Sequence, residues 1–232
     1  MRPECIPKPT KEQWELTALA FERTANFPHC SVAVDGKEIR VIKWEHSVSI
    51  FYNYEDFFSV VLMALADNNY CFVYVDIGSY IKDCDSTIFK RSTLQTSIQT
   101  NMLELSSEKP LSGTEGPNVP YFFVGDEGFA LNTNILRPFG GSNLSIKKRV
   151  YSYHLCRTRS CVACAFGILS NKWRIFQRPL NVSPDFAVVI VKACVVLHNF
   201  VSERDGYKFE DALTVTGVDV PDELLYPPKK LL

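Results

Sequence analysis

Three aspartates in this chain stand at the end of an apolar run or beyond it. Asp35 and Asp126 follow short apolar runs, and Asp85 lies past a longer one that covers residues 70–77. Taken singly, each has an ordinary interpretation as a turn residue or a helix N-cap. Because the ends of neighbouring strands meet at one edge of a sheet, the three together predict a cluster of carboxylates at that edge.

The segments between these aspartates predict a mixed α/β domain. Thr10, with Gln13 three residues later, has the sequence of a capping box and predicts a first helix. The further predicted elements are strands at 30–34 and 38–41, a hairpin of 57–66 with 70–77, a helix at 85–101, a strand at 121–124, and helices at 142–170 and 186–201. Antiparallel strands followed by a helical crossover to another strand give the order of a ribonuclease-H-like core.

We therefore predict an α/β fold with a ribonuclease-H-like mixed sheet flanked by helices. The predicted organisation is a helical lead-in (residues 1–25), a main domain (residues 26–202) and a polar, proline-bearing tail (residues 203–232). Composition agrees with an ordinary globular protein, since 46% of the residues are hydrophobic and 22% are charged.

We expect an intracellular protein. No apolar run reaches the ~18 residues of a membrane span. The first residues also lack the apolar core of a signal peptide. Eight cysteines are scattered along the chain, and we expect them to be reduced thiols.

Charge is distributed unevenly, although the net charge is only −1. No acidic residue lies between Glu127 and Asp185, and nine basic residues lie there, which leaves −10 for the rest of the chain. Such a basic face attracts phosphates, although solvated helix faces are the alternative interpretation. The candidate contacts to DNA phosphates are Lys147, Lys148, Arg149, Arg157, Arg159, Lys172 and Arg174.

Carboxylates gathered at strand ends are suited to phosphodiester cleavage. That reaction needs an activated water or hydroxyl and neutralisation of charge at phosphorus, and two divalent ions about 3.5–4 Å apart supply both. Hard ions such as Mg²⁺ prefer carboxylate oxygens. Asp35 and Asp126, on strands that would be central neighbours in such a sheet, are predicted to share a metal ion.

Other groupings point less clearly to a site. A CxxC pair at 161–164, with His154 and Cys156 nearby, has the residue types of a zinc site. All four would lie on one helix, however, and no second CxxC motif exists. We interpret His198-Asn199 as a polar helix end rather than a catalytic base. The sequence contains no Gly-rich nucleotide-binding loop.

Several short motifs, taken as a set, are specific. They are Asn26-Phe27-Pro28, Ala33-Val-Asp35-Gly-Lys37, Tyr52-Asn53-Tyr54 with Phe57-Phe58-Ser59, Tyr74-Val-Asp76-Ile-Gly78, Asp85 with Phe89, Val124-Gly-Asp126-Glu127, Ala165-Phe166-Gly167-Ile-Leu169 with Trp173-Arg174, and Val196-Leu197-His198-Asn199. With these motifs the chain resembles, over residues 9–201, the DDE domain of PIF/Harbinger-type transposases and of their domesticated relative, the Harbinger transposase-derived nuclease.

The resemblance implies that Asp35, Asp85 and Asp126 are catalytic and bind Mg²⁺ or Mn²⁺. It also implies a Glu on the following helix at position 163, where this chain has Ala163. The neighbouring Cys164 is a poor substitute ligand for a hard ion. Which of Asp85 and Asp126 is the second obligatory ligand stays open, although strand order favours Asp126.

Other departures from the family point in the same direction. Glu38 stands where a basic residue or His is usual, Glu55-Asp56 replaces a Lys-Gly pair, and Ile81 replaces a Gly. Because the chain starts just before the catalytic core, we expect the N-terminal helical DNA-binding segment of the family to be absent.

We therefore expect a transposase-derived DDE nuclease domain at residues 26–202, whose metal-dependent cleavage of DNA is impaired by Ala163. The alternative is a catalytically dead copy that serves as a DNA- or protein-binding module. The resemblance implies DNA as a partner, with a Myb-like DNA-binding protein as an open option, and no membrane. It implies the nucleus as the location, with the cytoplasm as an additional option.

Overall fold

The structure, a computed structural model, describes residues 6–42, 58–79, 85–100 and 102–206. Its helices are α1 (Lys11–Ala25), α2 (Asp85–Arg91), α3 (Thr93–Gln99), α4 (Ile146–Lys172) and α5 (Pro184–Arg204), with a 3₁₀ helix at Arg174–Gln177. Its strands are β1 (Cys30–Val41), β2 (Phe58–Ala66), β3 (Phe72–Ser79), β4 (Phe122–Val124) and β5 (Ile135–Leu136). The predicted motif at 52–57, the departures at Glu55-Asp56 and Ile81, and the tail beyond residue 206 lie outside the described residues.

The five strands form one mixed sheet in the order β3-β2-β1-β4-β5. β1 pairs antiparallel with β2 and parallel with β4, while β3 joins β2 antiparallel and β5 joins β4 parallel. Helices α4 and α5 cover one face of the sheet, and α2 and α3 cover the other. Helix α1 contributes Trp14 to one core and Phe21 to the other. The predicted ribonuclease-H-like fold class, a mixed sheet between helices, is confirmed.

Strand β1 runs unbroken through Asp35-Gly36, where the sequence predicted a turn between two strands. The antiparallel partner β2 continues past this point, so that Asp35 pairs with Ala64 and Gly36 with Met63. The turn prediction is wrong because a long neighbouring strand pairs with β1 through this point and as far as Val41. Asp35 consequently lies inside a strand rather than at its end.

Residues 85–101, predicted as one helix, form two helices that meet at Ser92. The Ser92 hydroxyl donates to the carbonyl of Phe89 (2.6 Å) and accepts the N–H of Gln95 (3.2 Å). One side chain thus ends α2 and begins α3, as serine does at helix caps. The sequence also missed β5, whose two residues are too few for a periodic signal.

Sequence signals for helix ends are confirmed at α1 and α5. The Thr10 hydroxyl accepts the N–H of Gln13 (3.3 Å), and the Gln13 side chain accepts the N–H of Thr10 (2.8 Å), which completes the capping box. Asn26 ends α1 in the left-handed conformation, with φ of 52°. Ser183 caps α5, with Pro184 in the first turn.

Helix α5 is apolar on most of its surface. By length and composition it is the one helix within the described ranges that meets the requirements of a membrane span. Its buried side, which includes Val191, Val195 and His198, packs on β2 and β3. Helices in the core of a folded domain meet the same requirements of length and composition, so these requirements alone do not indicate a membrane span.

Two polar residues near the end of α5 fasten this helix to the β2–β3 hairpin. His198 Nε2 donates to the carbonyl of Tyr70 (2.8 Å). The Asn199 amide accepts the N–H of Phe72 (2.9 Å) and donates to its carbonyl (2.7 Å). These contacts give His198 and Asn199 a structural role at the end of the helix, as the interpretation of a polar helix end predicts.

Burial of His198 predicts a pH-dependent loss of stability. Burial lowers the pKa of this imidazole to about 4, below its ordinary value of 6.5. Between these two values the unfolded chain takes up a proton that the folded chain does not, so stability falls as the pH falls through this window. The full effect is about 3 kcal/mol.

Urea unfolding of the parent and of His198→Gln between pH 7 and pH 4 measures this effect. Gln keeps a donor for Tyr70 and does not titrate, so its free energy of unfolding should depend less on pH in that window. Parallel profiles for the two proteins would show that another group is responsible.

Candidate functional site

The pairing of β1 with β4 brings Asp35 and Asp126 to the same level of the sheet. Ala33 pairs with Val124 in this parallel ladder, and each aspartate lies two residues further along its own chain. Burial is the main cause of the raised pKa of Asp35, and the negative charge of Asp126 adds to it, as expected of neighbouring carboxylates. Two of the three predicted aspartates are therefore brought together.

Asp35 lies on the side of the sheet that α4 covers, whereas Asp126 lies in the loop just beyond β4. Side chains alternate along a strand, so Asp35 shares a face with Ala33 and Ile39. Ala33, Ile39 and Val124 belong to the core under α4 and α5. On β1, the charged residues Asp35 and Lys37 thus interrupt an apolar row.

The Asp35 carboxylate has a partner at each oxygen. Oδ1 accepts the N–H of Gly36 (2.9 Å), and Oδ2 accepts a hydrogen bond from Nη1 of Arg159 on α4 (3.0 Å). The side chains of Asp35 and Arg159 are only 16% and 30% exposed. Burial raises the pKa of Asp35 above its ordinary value, and the Arg159 charge and the Gly36 N–H oppose this shift.

Lys37 lies two residues beyond Asp35 on the same side of β1. Burial lowers the pKa of its ammonium group, and the charge of Asp35 acts in the opposite direction. Asp35 thus lies close to two positive groups of its own chain. In the sequence Lys37 stood out only as the last residue of the motif at 33–37, and its nearness to the Asp35 charge had no signal there.

The Asp126 carboxylate is held by the loop that follows β4. Its Oδ1 accepts the N–H of Gly128 (2.9 Å). The guanidinium of Arg137 donates to the carbonyls of Glu127 (2.9 Å) and Phe129 (3.2 Å), which fixes the loop from the other side. Sequence reasoning counted Arg137 only as a charge, and its role as a positioning residue had no signal in the sequence.

Ala163 lies one helical turn beyond Arg159 on α4, and residues four apart share a helix face. Side chains on a helix lean toward its N-terminus, so a longer side chain at position 163 would extend toward the turn of Arg159. The alanine leaves no carboxylate at this position.

The third predicted aspartate, Asp85, is the first residue of α2. Its side chain lies outside the described residues, so the structure does not place its carboxylate. The structure therefore does not decide whether Asp85 or Asp126 is the second obligatory metal ligand.

The predicted DNA-contacting residues are spread along α4 and beyond it. Lys147, Lys148 and Arg149 are exposed in the first turn, and Arg157 is exposed near the middle of the helix. Lys172 pairs with Asp205 (3.5 Å), and Arg174 lies in the 3₁₀ helix. Arg159 differs from the others because its guanidinium is bound to Asp35 within the site.

A family described as DDE superfamily endonuclease matches residues 34–199, which run from β1 into α5. The chain belongs to this family. Protein ALP1-like of Arabidopsis thaliana is 26% identical over 196 residues, which are 82% of this chain and 47% of that protein. The chain thus spans about half the length of this curated relative. No solved structure matches the chain.

These matches confirm the resemblance to a Harbinger-type, transposase-derived DDE domain. DDE nucleases in general use divalent metal ions, so the described residues can be tested against that requirement. A hard ion needs several carboxylate oxygens around one point. The described part of the chain contains no group of three or more His, Cys, Asp or Glu residues able to hold a metal ion.

The described part of this DDE domain therefore does not fit a complete metal centre. It offers the carboxylates of Asp35 and Asp126, one of which is bound to a guanidinium, and position 163 supplies no ligand. The cysteines on α4 do not replace the missing carboxylate. Burial raises the pKa of Cys161 to about 12 and also raises that of Cys164, so both stay thiols at neutral pH.

Gly125 lies between β4 and Asp126, where the close Phe129 ring leaves no room for a side chain. A Cβ at this position would lie 2.7 Å from Cδ2 of the Phe129 ring, so Gly125→Ala should push the ring or the Asp126 loop away. We expect a loss of about 1–3 kcal/mol in the free energy of unfolding.

The matched control is Gly167→Ala on α4, where an added Cβ meets nothing within 4 Å. That change should stabilise the helix by roughly 0.5–1 kcal/mol. Chemical denaturation of both variants measures the difference. Equal effects of the two substitutions would show that Phe129 does not confine Gly125.

Proposed function

We propose that this chain is a transposase-derived DDE nuclease domain that binds DNA and whose metal-dependent cleavage of phosphodiester bonds is impaired. The observation that carries the proposal is the site itself. Asp35 on β1 and Asp126, just past the end of the adjacent parallel strand β4, lie at one level of the sheet, and the position on α4 that should complete the set is Ala163. Asp35, Asp85 and Asp126 are the proposed catalytic and metal-binding positions, with Mg²⁺ or Mn²⁺ as the ion.

Impairment follows from the donor set. Loss of one member of a catalytic unit lowers rates by several orders of magnitude. Here one carboxylate is replaced by alanine, and a second is hydrogen-bonded to Arg159 at 3.0 Å. The folded domain retains the shape of a nuclease site but only part of its chemistry.

Binding of DNA is supported by the first turn of α4. Three exposed cations, Lys147 to Arg149, lie there without any acidic residue, and the N-cap Ser145 makes no side-chain cap hydrogen bond. Cations at a helix N-terminus are unfavourable, because the N–H groups there carry partial positive charge. A phosphate bound at this turn would remove that cost, which is the usual reason for anions at such ends.

A second candidate function is a binding module without catalysis. The ion pair between Arg159 and Asp35 favours it, because the pair uses a carboxylate that the reaction would need. The nucleus as the location and a Myb-like DNA-binding partner remain proposals under both functions.

Cleavage of supercoiled plasmid in Mg²⁺ or Mn²⁺ separates the two functions. We expect slow nicking by the parent, a rate at least about tenfold higher for Ala163→Glu, and no nicking when Asp35→Ala is added to either protein. The Glu supplies a carboxylate at position 163. The expected rise in nicking rate requires that Asp35, Asp85 and Asp126 supply the other metal ligands.

If the parent nicks as fast as Ala163→Glu, cleavage is not impaired at this position. If neither protein nicks but both bind DNA, the second candidate is correct. If neither binds DNA, the proposed nuclease and a DNA-binding module are both wrong, and the remaining form of the second candidate is a protein-binding module.

The contribution of the α4 cations to DNA binding is measured by the salt dependence of affinity. Replacing Lys147, Lys148 and Arg149 by alanine should lower the slope of log K against log salt by about 2–3, since each phosphate contact contributes roughly 0.9 on duplex DNA. The control is a triple alanine variant at Lys8, Lys11 and Arg23, which removes the same charge near α1. Equal slopes for the two triple variants would contradict a specific role of α4.

A further inference from the structure

The charge of Asp35 needs a permanent partner within the fold. Its side chain is 16% exposed and sits in a row of apolar residues on β1. A carboxylate withdrawn from water is stable only when it is paired and hydrogen-bonded. In a complete DDE site divalent ions would meet that need, whereas here the partner is a residue of α4.

We infer that the Arg159 guanidinium takes the place of a divalent cation beside Asp35, so that the folded domain holds this carboxylate without metal and keeps such an ion away. The inference rests on the proposed function in taking Asp35 as a metal-binding position. It goes further by assigning a structural and exclusion role to Arg159, one of the residues predicted to contact DNA.

The geometry at Asp35 supports the exclusion of a divalent ion as well as the ion pair with Arg159. Both oxygens of Asp35 already accept a hydrogen bond, Oδ1 from Gly36 and Oδ2 from Arg159. A divalent ion bound to Oδ2 at the ~2.1 Å typical of Mg²⁺ would lie against the positive guanidinium. Lys37 adds a second positive group near the same carboxylate. Entry of a metal ion at Oδ2 thus requires Arg159 to leave, which makes metal binding by the parent weak and agrees with its expected slow nicking.

A feature of Arg159 itself connects the pair to Ala163. Its Nε is buried and has no hydrogen-bond partner among the described residues. Buried donors without partners are rare in folded proteins. A carboxylate at position 163, one turn away on the same face, is the group that would meet such a donor. The substitution to alanine therefore leaves Arg159 with Asp35 as its acidic partner in the site.

Thermal unfolding without DNA tests the inference, in EDTA and in millimolar MnCl₂. The parent should unfold at the same temperature in both. Arg159→Ala should unfold about 5 °C or more lower in EDTA, because it leaves a buried carboxylate unpaired. Mn²⁺ should restore at least half of that loss by replacing the missing charge.

Two further variants serve as controls. Arg157→Ala removes an exposed cation from the same helix and should show neither effect. Arg159→Ala combined with Asp35→Asn should not respond to Mn²⁺, because the buried negative charge is gone. The loss of the electron paramagnetic resonance signal of free Mn²⁺ reports binding directly and should occur only with Arg159→Ala.

If Mn²⁺ stabilises the parent as much as it stabilises Arg159→Ala, Arg159 does not keep metal ions away from Asp35. If Arg159→Ala is destabilised and Mn²⁺ does not restore its stability, Arg159 does not take the place of a divalent cation. If Arg159→Ala does not fold in EDTA, Arg159→Met takes its place, since it keeps the apolar part of the side chain. If that variant also fails, recovery of folded protein in Mn²⁺ supports the inference and failure to recover it refutes it.

These outcomes are independent of the proposed function, because no DNA is present. Loss of DNA binding in the salt experiment would refute the function and leave the Mn²⁺ result unaffected. Conversely, a Mn²⁺ response of the parent would refute the inference while DNA binding stood.

Discussion

A charged side chain in the middle of a buried strand is the constraint on which this site depends. Pairing with Ala64 of β2 holds the backbone of Asp35 in the sheet, so the carboxylate stays mostly withdrawn from solvent. The compensating charge has to come from the helix that crosses the sheet, and Arg159 provides it. The position of α4 over β1 is therefore set by this ion pair together with the apolar contacts of Val162, Ala165 and Leu169. Breaking such a pair costs more than its formation gains, since one charge is left buried.

Several residues of the family motifs act on the fold rather than on chemistry. His198 and Asn199 hold α5 to the hairpin, and Gly125 makes room for the Phe129 ring next to Asp126. A chain that no longer cleaves DNA would still need these residues in order to fold. Membership of the DDE family is thus a statement about architecture, and activity depends on the few positions that face the reacting atoms. In this chain the proposed site includes Arg159 and Ala163.

The sequence predicted the architecture more reliably than the details of the site. Helix caps such as Thr10 and the alternation of long apolar runs are local signals, and they placed α1, β2, β3, α4 and α5 to within a few residues. The Asp35-Gly36 turn was wrong because pairing with a distant strand overrides a local dipeptide preference. β5 was missed because it exists only through its pairing with β4.

Within the site, the nearness of Asp35 to Asp126 could be predicted from strand order, because parallel neighbours share their ends. The hydrogen bond of Arg159 to Asp35 could not, since it joins residues 124 apart along the chain. The same holds for Arg137, whose contacts with the Asp126 loop depend on the path of a coil segment. In the sequence all of these arginines look alike, as members of one basic stretch. Only their neighbours in space separate a residue that positions a loop from one that neutralises a carboxylate.

The separation of charges along α4 explains how cleavage and binding can change independently. Lys147 to Arg149 lie ten or more residues before Arg159, which is about 15 Å or more along the axis at 1.5 Å per residue. A phosphate held by the first turn therefore does not require Arg159 to leave Asp35. An alanine at position 163 concerns the centre of the helix and leaves its cationic start unchanged. A domain built in this way can lose the chemistry of a nuclease while it keeps the surface proposed to hold DNA.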